Sequence, residues 1–143
     1  MNTAPTPCSG IRAESAHLQP LAEQIAAELG LALLEQDEPL QADTIYLLYQ
    51  TDGLHIVSTT ARKPLDFHID FGDGLYLRRQ QTGGKDQGLA KAVGIKQGYL
   101  PTVLDATAGF ARDSFTLASL GCQITLLERS PVLAVMLADA IER

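Results

Sequence analysis

The sequence predicts an α/β chain in two parts, a small α+β domain followed by the beginning of a domain with a parallel sheet. In the first part, a helical pattern is followed by short runs with the two-residue period of strands. From Pro101 onward, the patterns alternate as strand, helix, strand, helix, which is typical of a parallel sheet covered by helices. We place the boundary in the glycine-rich stretch that ends near Gly84, so that the predicted domains are 1–84 and 85–143.

The elements of the first domain follow from residue spacing and turn residues. Leu18, Leu21, Ile25 and Leu29 lie at helical spacing, and Gly30 is a suitable helix end. Asp52 and Gly53 form a turn signal between two apolar runs and predict a hairpin. The predicted elements are a helix over 17–29, strands over 31–34, 44–50 and 54–59, and a half-buried strand over 65–71.

The second domain begins with a short helical pattern near residues 89–95 and then alternates regularly. Ser130 is a suitable helix N-cap, and Pro131 occupies the first helical position, where the missing N–H of proline costs nothing. The predicted elements are strands over 102–106 and 123–128 and helices over 112–120 and 131–141.

Composition limits the class of protein. The chain has 143 residues, of which 45% are hydrophobic and 20% charged, values typical of a soluble globular protein. No apolar run approaches the ~20 residues of a membrane span, and the N-terminus lacks the pattern of a signal peptide, so we expect a cytoplasmic protein with no membrane partner. Cys8 in a predicted tail and Cys122 in a predicted core position have neither disulfide nor metal-ligand spacing, so we expect no metal.

Charge is distributed unevenly along the chain. The net charge is −6, yet the stretch from Ala61 to Lys96 carries seven bases and four acids. A polyanion such as RNA would be bound there, although a solvated basic face explains the pattern equally well. The candidate RNA-binding residues are Arg78, Arg79, Lys85, Lys91 and Lys96.

Two acids mark a candidate cofactor site. Asp105 ends the first strand of the alternating part, and Glu128 follows the second strand twenty-three residues later. In parallel sheets, ligands bind at the carboxyl ends of strands, and an acid ~20 residues after the first turn accepts hydrogen bonds from ribose hydroxyls. The spacing therefore predicts a site for a nucleoside-containing cofactor.

The turn after Asp105 narrows the choice of cofactor. A dinucleotide fingerprint needs three glycines, but the corresponding small residues are Thr107, Gly109 and Ala111. An acid at the end of the strand also suits a cationic sulfonium and ammonium ligand better than a phosphate. These features favour S-adenosylmethionine over a nicotinamide dinucleotide, and hence a methyltransferase over a dehydrogenase.

Four motifs occur together in one order: KAVGIK at 91–96, DATAG at 105–109, RD at 112–113 and LLER at 126–129. In these motifs the chain, from about Arg78 onward, resembles the RsmJ-type family of methyltransferases that act on bacterial small-subunit ribosomal RNA. The resemblance implies a class I, Rossmann-like methyltransferase sheet, S-adenosylmethionine as the cofactor, and methylation of the exocyclic N2 of one guanine in 16S rRNA, either free or in the assembled small subunit. It also implies that Arg112, Asp113, Glu128 and Arg129 contact the cofactor and that Asp105 and Gly109 shape the turn.

The chain departs from the family pattern in two ways. Ala111 stands where the family has glycine, a change that we expect the loop to accommodate. The Asp and Pro that orient the acceptor amine in the family are absent, so we expect the catalytic residues beyond Arg143 and an inactive N-terminal piece of a longer enzyme. A noncatalytic RNA-binding or adaptor module and an NAD-dependent oxidoreductase remain the alternatives.

Overall fold

The computed structural model describes residues 8–60, 65–72 and 86–143. None of the helices in these three ranges combines the length and the apolarity that crossing a bilayer requires. The predicted fold class is confirmed, because the elements form a mixed α/β chain rich in parallel strand pairs.

The chain divides into two compact units that we describe separately. The first unit comprises Met1–Ile69 together with Ala138–Arg143, and the second comprises Asp70–Leu137. The boundary predicted between 84 and 85 lies at the edge of the residues left undescribed, so the division into 1–84 and 85–143 stays a prediction.

The first unit contains a five-stranded sheet with the strand order β2-β1-β3-β4-β5. β1 pairs in parallel with both β2 and β3, whereas β3, β4 and β5 form antiparallel pairs. Its elements are β1 (Gly10–Ala13), α1 (Gln19–Leu29), β2 (Ala32–Leu33), β3 (Ile45–Gln50), β4 (Gly53–Ser58) and β5 (Leu65–His68).

Most elements predicted for this unit are confirmed within a few residues. α1 ends at Gly30, which has a φ of 66°, a left-handed conformation that glycine adopts without strain. The predicted hairpin is present as β3 and β4. The last strand is shorter than expected, because β5 ends at His68 instead of continuing to Phe71.

The prediction that Cys8 lies in a tail is wrong. Ser9 donates its N–H to the carbonyl of Ile45 at 2.8 Å and so connects this segment to the start of β3. Cys8 is buried, and the burial raises the pKa of its thiol to about 11. Ile11, in the centre of β1, is fully buried as well.

In the first unit, the carboxylate of Asp139 accepts hydrogen bonds from three residues. Its Oδ1 accepts the hydroxyl of Tyr49 on β3, and its Oδ2 accepts the N–H of Leu54 on β4 at 3.0 Å. Arg143 donates its Nε to the same carboxylate at 3.1 Å. The Asp139 side chain is only 7% exposed, so this acid joins two strands to the C-terminal helix from a buried position.

The ionisation of Tyr49 reflects these surroundings. Burial, and then the hydrogen bond to Asp139, raise the pKa of the Tyr49 phenol from 10.0 to about 12. Because the pKa is raised on folding, the resulting stabilisation is complete below pH 10 and is lost as the pH rises through about 12.

The second unit has a two-stranded parallel sheet of β6 and β7, in which Thr102 pairs with Gln123 and Asp105 with Leu126. The predicted order of strand, helix, strand and helix is confirmed. Cys122, beside β7, is buried as predicted. The elements are α2 (Asp86–Ala92), β6 (Thr102–Asp105), α3 (Arg112–Ser119), β7 (Gln123–Leu126) and α4 (Pro131–Glu142), the last of which ends among the residues of the first unit.

We expect the substitution Asp139→Ala to lower the free energy of unfolding by about 3 kcal/mol, because it leaves the buried Tyr49 hydroxyl and Leu54 N–H without an acceptor. Tyr49→Phe removes one hydrogen bond and should cost only about 1 kcal/mol. Glu142→Ala, at an exposed position of α4, is the control and should be nearly neutral. Urea denaturation measures all three, and an equal loss for Asp139→Ala and Tyr49→Phe would contradict the role of Asp139.

Candidate cofactor site

Two loops leave adjacent parallel strands at the same edge of the sheet. The first loop (residues 106–111) follows β6, and the second loop (residues 127–130) follows β7. Leu127 donates its N–H to the carbonyl of Asp105 at 2.8 Å, and Ala108 donates to the carbonyl of Leu127 at 3.0 Å. The strand ladder therefore continues as backbone contacts between the two loops.

Glu128 joins the two loops through its carboxylate. Its Oε2 accepts the N–H of Gly109 at 2.9 Å, and its Oε1 accepts the N–H of Ser130 at 2.8 Å. The bonds from Ser130 and then Gly109 lower the pKa of the Glu128 carboxyl, so the bridge is a charge-assisted one at neutral pH. Each carboxylate oxygen has a further lone pair, which leaves capacity for a hydroxyl donor.

Asp105 holds the first loop against the start of α3. Its Oδ1 accepts the N–H of Thr107 at 3.1 Å, and its Oδ2 accepts the hydroxyl of Ser114 in the first turn of the helix. Ser114 is buried. Both oxygens of Asp105 thus fix the conformation of the loop that they begin.

The first loop contains two residues with a left-handed backbone conformation, Gly109 with a φ of 52° and Ala111 with a φ of 50°. Glycine adopts this conformation freely, whereas a residue with a Cβ is strained by ~1 kcal/mol. This backbone conformation suits the glycine that the resemblance to the RsmJ-type family leads us to expect at position 111. Ala111 is also buried, with 2% exposure.

A cavity of about 340 Å³ opens at the first loop. It has two carboxylates and one guanidinium in its wall, and the Cζ of Arg112 lies 5.6 Å from the centre of the Phe110 ring. Carboxylates attract the positive charges of a sulfonium and an ammonium, and an aromatic ring offers a flat apolar surface to a base. The lining residues are Asp105, Thr107, Ala108, Phe110, Arg112 and Asp113.

The structure brings together some of the predicted site residues and not others. Asp105, Arg112 and Asp113 line the cavity, whereas Gly109 and Glu128 form the bridge between the loops. Arg129 is exposed in the second loop.

The predicted RNA-binding residues fall into two groups. Lys91 in the last turn of α2 and Lys96 are exposed. Arg78, Arg79 and Lys85 lie outside the described residues.

Sequence reasoning missed two residues of this site. Ser114 fixes Asp105, and Phe110 contacts Arg112. Ser114 could have been found from its position in the first turn of the predicted helix, because a hydroxyl there can reach the end of the preceding strand. Phe110 interrupts a run of small residues, which is unusual for a turn that serves only to change chain direction.

A family model described as "Putative SAM-dependent methyltransferase" matches residues 26–143. A solved structure is also similar, a SAM-dependent methyltransferase from Neisseria gonorrhoeae. It has a TM-score of 0.69 and 32% identity, and the match covers 94% of this chain and 52% of that one.

Two curated relatives are both called ribosomal RNA small subunit methyltransferase J. The protein from Thioalkalivibrio sulfidiphilus is 43% identical over 134 residues, and the match covers 93% of this chain and 51% of the relative. The protein from Pseudomonas aeruginosa is 41% identical over 144 residues, covering 100% and 54%. These matches confirm the resemblance that the motifs indicated. The chain spans about half the length of these relatives.

We expect two substitutions at Ala111 to change the stability by different amounts. Ala111→Gly relieves backbone strain but removes a buried methyl group, so the free energy of unfolding should change by less than about 1 kcal/mol. Ala111→Val places a β-branched side chain in the left-handed conformation and should lower that free energy by more than about 2 kcal/mol. Thermal unfolding of both variants is the measurement, and a neutral valine variant would show that the φ at position 111 is not constrained.

Proposed function

The chain belongs to the family of SAM-dependent methyltransferases, and from this membership we propose that it forms the cofactor-binding part of an enzyme that methylates small-subunit ribosomal RNA. The observation that carries the proposal is the acid-lined cavity at the first loop, whose shape is fixed by Asp105 and by the Glu128 bridge. The alternatives, an adaptor without a cofactor and an NAD-dependent oxidoreductase, have no comparable support in this cavity.

S-adenosylmethionine supplies an electrophilic methyl group on a sulfonium, and the residues of the chain would bind and orient it. We propose that Asp113 and Asp105 provide the negative charge that a sulfonium and an ammonium require. The free lone pairs of Glu128 would accept ribose hydroxyls. The complete proposed set is Asp105, Gly109, Arg112, Asp113, Glu128 and Arg129.

The proposed substrate is 16S rRNA, free or within the assembled small subunit, and the proposed acceptor is the exocyclic N2 of one guanine. The names of the relatives support a small-subunit rRNA substrate, and the N2 position rests on the RsmJ-type resemblance. We propose a cytoplasmic location, because such a substrate occurs there.

Methyl transfer requires the acceptor nitrogen close to the methyl and in line with it. The Asp and Pro that orient the amine in the resembled family do not occur in these 143 residues. We therefore propose that these 143 residues bind the cofactor but do not transfer a methyl group by themselves. A methylation assay of the chain on 16S rRNA tests this.

Calorimetric titration tests the cofactor assignment. We expect the chain to bind one S-adenosylmethionine and to show no saturable binding of NAD. Asp113→Asn removes one negative charge from the cavity wall and should weaken S-adenosylmethionine about tenfold. Glu23→Gln, at an exposed position of α1, is the matched control and should leave the affinity unchanged. Binding of NAD alone would favour the oxidoreductase, and binding of neither ligand would favour the adaptor.

Lys91 and Lys96 provide a test of the RNA partner. If each neutralises one phosphate, the double variant Lys91→Ala, Lys96→Ala should reduce the slope of log affinity against log salt concentration by about 1.5 to 2 for a 16S rRNA fragment. Arg12→Gln, which removes a base outside the stretch from Ala61 to Lys96, is the control. An unchanged slope in the double variant would mean that the two lysines are only a solvated basic face.

A further inference from the structure

A cluster of imidazole and carboxylate side chains lies on the first unit, in residues with no part in the proposed cofactor site. Asp52 is in the turn between β3 and β4, His55 is on β4, and His68 is directly opposite His55 on β5. One ligand atom from each of the three lies within 4.8 Å of the other two. The sequence predicted no metal, because spacing along the chain does not reveal side chains that meet across strands.

The polar atoms of the cluster point toward one another. Nε2 of His55 lies 2.9 Å from Oδ1 of Asp52, and Nε2 of His68 lies 3.8 Å from Oδ2 of the same carboxylate. The two imidazole rings are stacked, with centroids 4.3 Å apart and an angle of 22° between their planes. Two ring nitrogens and one carboxylate oxygen thus converge on a small volume.

A second acid orients the buried histidine. Nδ1 of His55 lies 2.6 Å from Oδ1 of Asp66 on β5. When Nδ1–H donates to this carboxylate, Nε2 presents its lone pair on the side of Asp52 and His68. Histidines that bind metals almost always have such a partner on the other ring nitrogen, and the partner both fixes the tautomer and increases the basicity of the ligand.

We propose that Asp52, His55 and His68 bind a divalent transition metal ion, Zn²⁺ in the first instance, and that Asp66 positions His55. Imidazole nitrogens with one carboxylate oxygen suit zinc, whereas magnesium and calcium select oxygen ligands alone. Water would complete the coordination.

The distances allow the site to close around the ion. Zinc bonds of 2.0–2.1 Å in a tetrahedral arrangement place ligand atoms ~3.3 Å apart. The ligand atoms of the cluster lie within 4.8 Å of one another, so no pair has to approach by more than about 1.5 Å. His55 is fixed by burial with a side-chain exposure of 6%, but Asp52 is 60% exposed and His68 is 28% exposed. Rotation of these two side chains supplies the movement.

The charge around the cluster also favours a cation. Asp52 and Asp66 contribute two carboxylates on one side of the sheet. Arg143 donates to the backbone carbonyl of Asp52, but its guanidinium is paired with the carboxylate of Asp139. The bound ion would connect the β3–β4 turn to β4 and β5, so we expect it to stabilise the first unit.

The test is a Zn²⁺ titration of the metal-depleted full chain against a chromogenic chelator, together with thermal unfolding. We expect one ion per chain and an unfolding temperature that rises when Zn²⁺ is added. His68→Gln and Asp52→Asn each remove one ligand and should weaken binding at least tenfold. Asp66→Asn should weaken it by about 10-fold to 100-fold through the orientation of His55.

His17→Gln is the matched control, because His17 is exposed and bonded to Ser15 away from the cluster. The control should bind Zn²⁺ as the unaltered chain does. Absence of one-to-one binding, or an equal loss of affinity in His17→Gln and His68→Gln, overturns the proposal. His68 and Asp52 are both partly exposed. For any variant that is less stable, the absorption spectrum of bound Co²⁺ provides a second measurement of which residues are ligands.

Discussion

The carboxylate of Glu128 accepts one backbone N–H from each of the two loops that follow the parallel strands, and the arrangement of the candidate cofactor site depends on this bridge. Without this carboxylate, the N–H groups of Gly109 and Ser130 would have to donate to water. The two loops would then have no common acceptor that fixes their relative position. Because hydrogen bonding lowers the pKa of Glu128, the bridge is complete above the ordinary value of 4.5 and is lost as the pH falls through the lowered value.

Much of the fold could be predicted because its signals are local. The helical spacing before Gly30 and the turn at Asp52 and Gly53 each fall within a few residues, and both lead to elements that the structure contains. β1 could not be found in this way. It has four residues, includes a glycine, and forms because Ile11 becomes buried between two distant strands, so its stability comes from tertiary packing and not from its own sequence.

In the candidate site, too, some features could be predicted from the sequence and others could not. The position of the two acids at one edge of the sheet could be predicted, since neighbouring parallel strands end at the same edge. The left-handed backbone of Ala111 could not, since alanine seldom adopts it and only the resemblance hinted at glycine there. The meeting of His55 with His68 depends on the register of β4 and β5, and a shift of one residue would have turned His68 to the other face.

The first unit is discontinuous along the chain, and this has a consequence for its synthesis. The ribosome completes β1 to β5 well before it adds Asp139, and all of Asp70–Leu137 is made in the interval. During that time the Tyr49 hydroxyl and the Leu54 N–H lack the acceptor that they share in the finished protein. Until the last turn of α4 emerges, water must therefore accept the hydrogen bonds of these two donors.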